Sequence, residues 1–270
     1  MPADQSPHGG PGFPSEQSHD WSERFFSHPD YLTIYRDMTG SQRTRQELGF
    51  CERVLRWQAG ERLLDAPCGA GRHSAPLAQM GLDVTGLDFS GPLLRKAQRR
   101  EPWQLWRKQR IPKWVRGLLQ ALPFATGCFD YVVCLFSSFG YLDTEADNLR
   151  VMQEYHRVLR PGGMVLIDVM NRHFIVPRLN RAFESVQHGL FVHEERRIIN
   201  QGRRLHNALT ITDRKGETRR YLYRPWLYNG WELSQMAVQA GLEPVSVYGS
   251  FEAEMYHAES ERAMLVARKP

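Results

Sequence analysis

Asp65 and Asp88 bracket the stretch of this 270-residue chain best equipped to hold a ligand. The run Leu63-Leu64-Asp65-Ala66-Pro67-Cys68-Gly69-Ala70-Gly71-Arg72-His73-Ser74 is β-type and apolar up to an acid, breaks at two glycines and restarts with helical character. A second apolar run then closes on Asp88, 23 residues after the first acid. Glycine has no Cβ, so the backbone at Gly69 and Gly71 can come close to a ligand, and a carboxylate can accept hydrogen bonds from hydroxyls or an ammonium. An apolar run closing on an acid, a break at glycines, a helical restart and a next strand that ends in a second acid together indicate a nucleotide site. For a lone glycine pair the better reading is an ordinary strand-to-helix turn flanked by solvated acids. The combined pattern argues against it here.

The glycine spacing narrows the kind of nucleotide. Pyrophosphate-binding loops follow G-x-G-x-x-G, whose last glycine lets the helix pack close while its N-terminus meets the phosphates. Here Ser74 holds that position, which weakens a dinucleotide reading. D-x-x-C-G-x-G-R-H-S with a spaced second acid resembles motif I of class I S-adenosylmethionine-dependent methyltransferases. S-Adenosylmethionine carries an ammonium, a sulfonium and a vicinal diol but no phosphate, so carboxylates at both ends and glycine between them fit it. The resemblance implies that Gly69 and Gly71 lie under its methionine half and that Asp88 takes both ribose hydroxyls. It also implies a cofactor set completed by Tyr35, Asp65, Cys68, Phe89, Leu119, Leu135 and Phe136.

Alternating strand and helix signals must position these residues. Strands are expected near 62–66, 83–88, 113–117, 130–136 and 164–170, with helices near 72–80, 91–100 and 145–159. This alternation predicts an α/β fold: a Rossmann-like, doubly wound, mostly parallel seven-stranded sheet. Arg160-Pro161-Gly162-Gly163 is expected to end the third helix, with glycine as its cap. Helical spacing at Leu48, Cys51, Val54 and Leu55 predicts an N-terminal helical cap over 20–60, preceded by a Pro/Gly/Ser-rich disordered tail over 1–19. From 182 to 228 the pattern becomes short and alternating, with turn signals at Asn200-Gln201-Gly202 and Arg214-Lys215-Gly216, which predicts a small antiparallel β-insert. A helix over 229–241 and strands near 243–250 and 262–268 complete the main domain, which thus comprises 60–181 and 229–270.

The resemblance covers roughly residues 20–270 and is nearest to a bacterial branch with such an insert, which includes amino-sugar N-methyltransferases. Phe136-Ser137-Ser138-Phe139-Gly140-Tyr141-Leu142 is similar to that branch's F-[ST]-S-x-G-Y loop, and Leu159–Gly163 to the family's L-[KR]-P-G-G. By the same resemblance a tyrosine of the N-terminal helix, Tyr35 or Tyr31, approaches the cofactor. One departure stands out: where the family has G-D-M, whose acid meets the adenine amino group, this chain reads Gly117-Leu118-Leu119.

Ligands of open α/β sheets sit beyond the carboxyl ends of the strands, an edge that should carry Asp65–Gly71, Asp88, 136–142 and Asn171–His173. Methyl transfer is an in-line displacement from an activated donor, so orienting a neutral nucleophile lowers much of the barrier. An ammonium or hydroxyl acceptor must also lose a proton. Tyr141 is the candidate for positioning, with aromatic packing as its alternative; His73 and His173 are candidates for the base, and local hydrogen bonding is the alternative for His73. His193, Glu194 and Glu195 read as a salt-bridged or solvated strand surface, and Trp226 and Tyr228 as the wall of an acceptor pocket or as aromatic core.

Composition narrows the function classes. The chain has 41% hydrophobic residues, a net charge of +5 and a pI near 9.1. Residues 95–116 interleave cations with Trp103, Trp106 and Trp114, a composition able to neutralise phosphates and stack on bases, or else a helix end and connection with snorkelling cations. Cys51, Cys68, Cys128 and Cys134 have no CxxC spacing and read as reduced thiols, with no metal site implied. Without a long apolar run or a signal-like start, the expected location is the cytoplasm and no membrane partner is expected. No G-x-S-x-G, P-loop or H-E-x-x-H sequence occurs. The reading is methyl transfer to N or O of a small polar molecule by a monomer or homodimer, nucleic acid being the less favoured acceptor. An RNA methyltransferase using 95–116 and a non-catalytic cofactor-binding protein are the alternatives.

Overall fold

The structure is a computed structural model and describes residues 21–99 and 110–270. The 1–19 tail, Trp103 and Trp106 lie outside the described residues. Five strands run parallel: β1 (Arg62–Asp65), β2 (Asp83–Asp88), β3 (Lys113–Arg116), β4 (Phe129–Cys134) and β5 (Leu159–Met170). Near the other edge β11 (Arg262–Arg268) inserts antiparallel between β5 and β10 (Glu243–Tyr248), giving the order β10-β11-β5-β4-β1-β2-β3. All six residues of β4 are buried, as a strand covered on both faces requires. The expected doubly wound seven-stranded sheet is therefore present. The chain leaves β1 toward β2 and β3 and returns on the other side at β4, so a crevice opens beyond the carboxyl ends of β1 and β4.

Helices cover both faces. α4 (Ser74–Gln79), α5 (Gly91–Arg99) and α6 (Glu145–Val158) follow β1, β2 and β4, and α8 (Gly230–Gln239) precedes β10. Local chemistry sets their starts: the Thr144 hydroxyl accepts from the Asp147 N–H at 3.1 Å, and Asn229 with Glu232 forms a reciprocal cap on α8. Tyr155, Val158, Tyr228 and Leu233 pack on one face of the sheet. On the other face lie Leu48, Cys51 and Leu55 of α3 (Ser41–Leu55), the helix predicted from their spacing.

The insert is a four-stranded antiparallel meander: β6 (Ala182–Gln187), β7 (Leu190–Ile199), β8 (Arg204–Thr212) and β9 (Thr218–Tyr223). The first helices, α1 (Trp21–Phe26) and α2 (Pro29–Ile34), dock on this meander. Phe25 stacks on Tyr223 with ring centroids 5.4 Å apart, and Asp30 takes Arg219 Nε at 2.8 Å and the Tyr221 hydroxyl at 3.1 Å. Cap and insert thus share one apolar cluster.

One local expectation changes, and one short element was not foreseen. α6 ends at Val158 with Leu159 already extended and paired with Phe129, so Gly162 does not cap the helix. It takes φ +77° in the turn beyond, where its N–H donates to Lys269 O at 2.9 Å. A short helix, α7 (Arg172–Arg178), capped by Asn171, leads from β5 into the insert. Its interior Pro177 hid it from a reading by helical pattern.

Candidate active site

One cavity of about 860 Å³ runs from the carboxyl ends of β1, β2 and β4 to the inner face of the meander. At its sheet end Asp88 organises the floor. Its Oδ2 accepts the Gly69 N–H and its Oδ1 the Ser90 N–H, each at 2.8 Å. Burial pushes this carboxyl up to about 6, with the backbone hydrogen bonds opposing. Gly69 has φ +55°, and a Cβ there would meet nothing within 4 Å, so the space beside it is open to a ligand. Gly71 differs: at φ +71°, its Cβ would collide with the Trp114 indole, which also packs against Gly86. Trp114 of the basic stretch is thus a prop beneath the glycine loop.

Asp65 is fully buried under the same loop and does not line the cavity. Its Oδ2 accepts the Ser74 hydroxyl at 2.5 Å, while Oδ1 is buried and has no hydrogen-bond partner among the described residues. Burial pushes its carboxyl up. An orphaned, buried carboxylate oxygen of this kind fits a cationic ligand group. Cys68 and Leu135 are buried beneath the loops and also do not line the cavity, whereas Tyr35, Phe89, Leu119 and Phe136 do.

The loop after β4 is held in an uncommon backbone conformation. Phe136 and Ser137 have φ +60° and +55°. Asp168 on β5 accepts the Phe136 N–H on Oδ2 at 3.0 Å, and its carbonyl accepts the Ser137 N–H at the same distance. Arg262 on β11 donates to Asp168 Oδ1 at 2.5 Å and to Ser137 Oγ at 2.8 Å. Strained αL residues of this sort persist only when the surroundings over-determine them. Neither Asp168 nor Arg262 was singled out from sequence. An acid inside the apolar run of β5 was the available signal.

Beyond Phe136 the cavity is aromatic. Tyr141 lies against Phe26, with centroids 5.2 Å apart, and near Tyr223. Tyr35 faces Phe136 edge-on, and its hydroxyl is 3.4 Å from that of Tyr223. Burial raises the Tyr141 and Tyr35 phenols well above their usual value. Burial followed by the charge of Asp88 pushes Tyr31 up to about 12.

Neither histidine proposed as a base faces this space. His73 is buried and pairs with Glu47 of α3 at 2.8 Å, so it ties the glycine loop to the helix. Arg72 donates to the same carboxylate and to Thr44, and lies over the Phe136 ring at 4.7 Å. Burial alone would raise Glu47, yet the hydrogen bonds from His73 and Arg72 outweigh it and hold the carboxyl down at about 2. His173 is exposed on α7, with Nε2 3.3 Å from Asn229 Nδ2. Trp226 and Tyr228 do not wall the pocket; Trp226 donates to Leu142 O at 3.1 Å and Tyr228 is core, while Pro225 takes the lining position. Glu194 is no surface residue but a buried one that lines the cavity.

Residues 64–167 match the family model of a methyltransferase domain. The glycine/sarcosine N-methyltransferase of Aphanothece halophytica is 32% identical over 144 residues, 53% of this chain and 52% of that protein. The demethylmenaquinone methyltransferase of Renibacterium salmoninarum is 36% identical over 108 residues, 40% of each. The chain spans about half the length, or less, of the curated relatives it matches. Among solved structures, the CcbJ methyltransferase of Streptomyces caelestis superposes with a TM-score of 0.73 at 21% identity, over 91% of this chain and 98% of that one. S-Adenosylmethionine-bound CalS10 of Micromonospora echinaspora, an amino pentose methyltransferase, gives 0.64 at 22%, over 90% and 98%. Over residues 64–167 the chain is thus similar to a methyltransferase domain, and its fold is the Rossmann-like sheet shared with these solved structures.

Proposed function

We propose that the chain transfers a methyl group from S-adenosylmethionine to N or O of a small polar molecule. The observation that carries this reading is the continuity of the cavity from Asp88 and Gly69, past Phe136, to the tyrosines beneath the meander. Asp88 holds the ribose diol, Gly69 lies under the methionine, and the buried Asp65 sets a negative potential for its ammonium. Gly71, Cys68 and Leu135 shape the loops from beneath. Phe89 and Leu119 flank the adenine; Leu118, in the place of the usual acid, is 53% exposed, and the Gln120 amide, which lines the cavity, takes over the adenine amino group. Arg43 on the rim meets the carboxylate.

The cofactor supplies a methyl on a sulfonium. The protein's part is to exclude water and aim a neutral nucleophile along the sulfur–methyl axis. Tyr141 orients that nucleophile, and neither His73 nor His173 lines the space to take a proton from it. The main domain, 60–181 with 229–270, holds the cofactor, while the 20–60 cap and the 182–228 insert close over the acceptor. That closure favours a small molecule over RNA, as does the use of Trp114 as a prop. The relatives named for glycine, sarcosine, demethylmenaquinone and an amino pentose support the same size class.

Calorimetric titration should show binding of S-adenosylhomocysteine and no comparable binding of NAD; the reverse would sink the cofactor assignment. With an acceptor found by screening for homocysteine-nucleoside release, Tyr141→Phe should lower turnover about 10- to 100-fold while cofactor affinity stays within roughly threefold. RNA as acceptor would instead produce a gel shift that fades steeply with salt.

A further inference from the structure

β7 carries charge where its pattern calls for apolar side chains. Val192, Glu194, Arg196 and Ile198 share the face that meets α1 and α2, a face otherwise made of residues such as Leu205, Leu209, Ile211 and Tyr223. An inward carboxylate is costly unless its hydrogen bonds are satisfied. Glu194 Oε2 accepts from Arg196 Nε at 3.1 Å, Arg196 Nη2 at 2.7 Å and Asn207 Nδ2 at 2.8 Å. All three donors converge on that one oxygen. Oε1 accepts no hydrogen bond from the described residues, so its lone pairs remain for an occupant of the cavity, which Glu194 lines.

The rings at this end sharpen the preference. Phe26, Tyr31, Tyr35, Tyr141, Phe183 and Tyr223 line the same space. Burial raises all four of these tyrosine phenols, so they stay neutral. Aromatic faces are negative and attract a cation, whereas an anion would meet both those faces and the carboxylate. Arg196 does not reverse the preference, because Nε and Nη2 are committed to Glu194 and the guanidinium lies over Phe183 at 4.4 Å.

We propose that Glu194 is the specificity-determining residue of the acceptor pocket and that it selects small amines by holding their ammonium through Oε1. Before transfer the ammonium gives one N–H proton to that carboxylate, and the nitrogen lone pair so freed forms the new bond to the methyl as its bond to sulfur breaks. This inference rests on the methyltransferase reading above and narrows its acceptor to an amine. Arg196 and Asn207 are positioning residues that fix the carboxylate. The test uses three probes of one size, benzylamine, benzyl alcohol and benzoate, titrated by calorimetry into protein loaded with S-adenosylhomocysteine. Benzylamine should bind at least about tenfold more tightly than the other two. Glu194→Gln should abolish that margin while leaving homocysteine-nucleoside affinity within roughly twofold, and Glu194→Asp, which keeps the charge, should retain part of it. Preference for benzoate, equal or undetectable binding of all three, or an amine margin that survives Glu194→Gln would overturn the proposal. The wild-type margin decides the matter even if a variant fails to fold. Should S-adenosylhomocysteine not bind, the cofactor reading fails by itself, and the same three titrations on unliganded protein still judge Glu194.

Discussion

Asp168 and Arg262 form a buried ion pair, Oδ1 to Nε at 2.5 Å, that clamps the backbone after β4 from two neighbouring strands. The other carboxylate oxygen of Asp168 accepts the Phe136 N–H, and Arg262 Nη2 donates to Ser137 Oγ. Asp168→Ala would leave the guanidinium uncompensated and the Phe136 N–H without its acceptor, so stability should fall by about 3–5 kcal/mol. Chemical denaturation measures this. A loss below about 1 kcal/mol would show the pair to be dispensable.

Glu47 joins α3 to the glycine loop through Arg72 and His73, and its pKa links that contact to pH. The folded value is depressed from 4.5 to about 2, so the stabilisation is fully present above the unfolded value and is lost as pH falls through 4.5 toward 2. A shift of this size is worth about 3 kcal/mol at neutral pH. Denaturation midpoints of wild type should therefore drop across that acid window, and Glu47→Gln should show a flatter profile from a lower plateau. Parallel curves for the two proteins would dissociate Glu47 from acid stability.

The two glycines of the loop should separate stability from binding. Gly71→Ala forces a methyl into the Trp114 indole at positive φ, at a cost on the order of 1–3 kcal/mol in folding. Gly69→Ala meets no protein atom, so its folding cost is limited to the αL penalty of about 1 kcal/mol. Its methyl enters the space proposed for the cofactor and should weaken S-adenosylhomocysteine binding about tenfold, or 1.4 kcal/mol. Thermal melts and titrations on both variants check the contrast, and equal binding losses would contradict it.

Asp88 should impose a pH limit on cofactor affinity. Its carboxyl, raised to about 6, must be ionised to accept two ribose hydroxyls, so affinity is constant well above that value and falls as pH drops through it. Below it the decline should approach tenfold per pH unit. Asp88→Asn should bind about 2–3 kcal/mol more weakly at pH 8 and with no such slope, since a neutral amide replaces charge-assisted acceptors. Titration calorimetry from pH 5 to about 8 reads both effects; a wild-type profile without slope would place the diol elsewhere.

The sequence by itself determined the sheet, the glycine loop and Asp88, because each depends on residues close together along the chain. An apolar run closing on an acid, glycines where a turn is needed and a repeat of strand and helix signals are local patterns. Their partners are dictated by the right-handed winding of parallel strands. The meander was legible for the same reason, through alternation and turn residues.

Tertiary structure alone decided which charged and aromatic side chains reach the cavity. His73 and Glu47 are 26 positions apart, Asp168 and Arg262 94, and Tyr35 and Tyr223 188. No spacing rule links residues so far apart. Charged residues on amphipathic strands read as a salt-bridged or solvated surface, as Glu194 did; α1 and α2 close over the face that carries it. Burial changes the chemistry of such groups: it engaged His73 in a contact with Glu47, set Trp114 beneath the glycines, and left Glu194 lining the cavity.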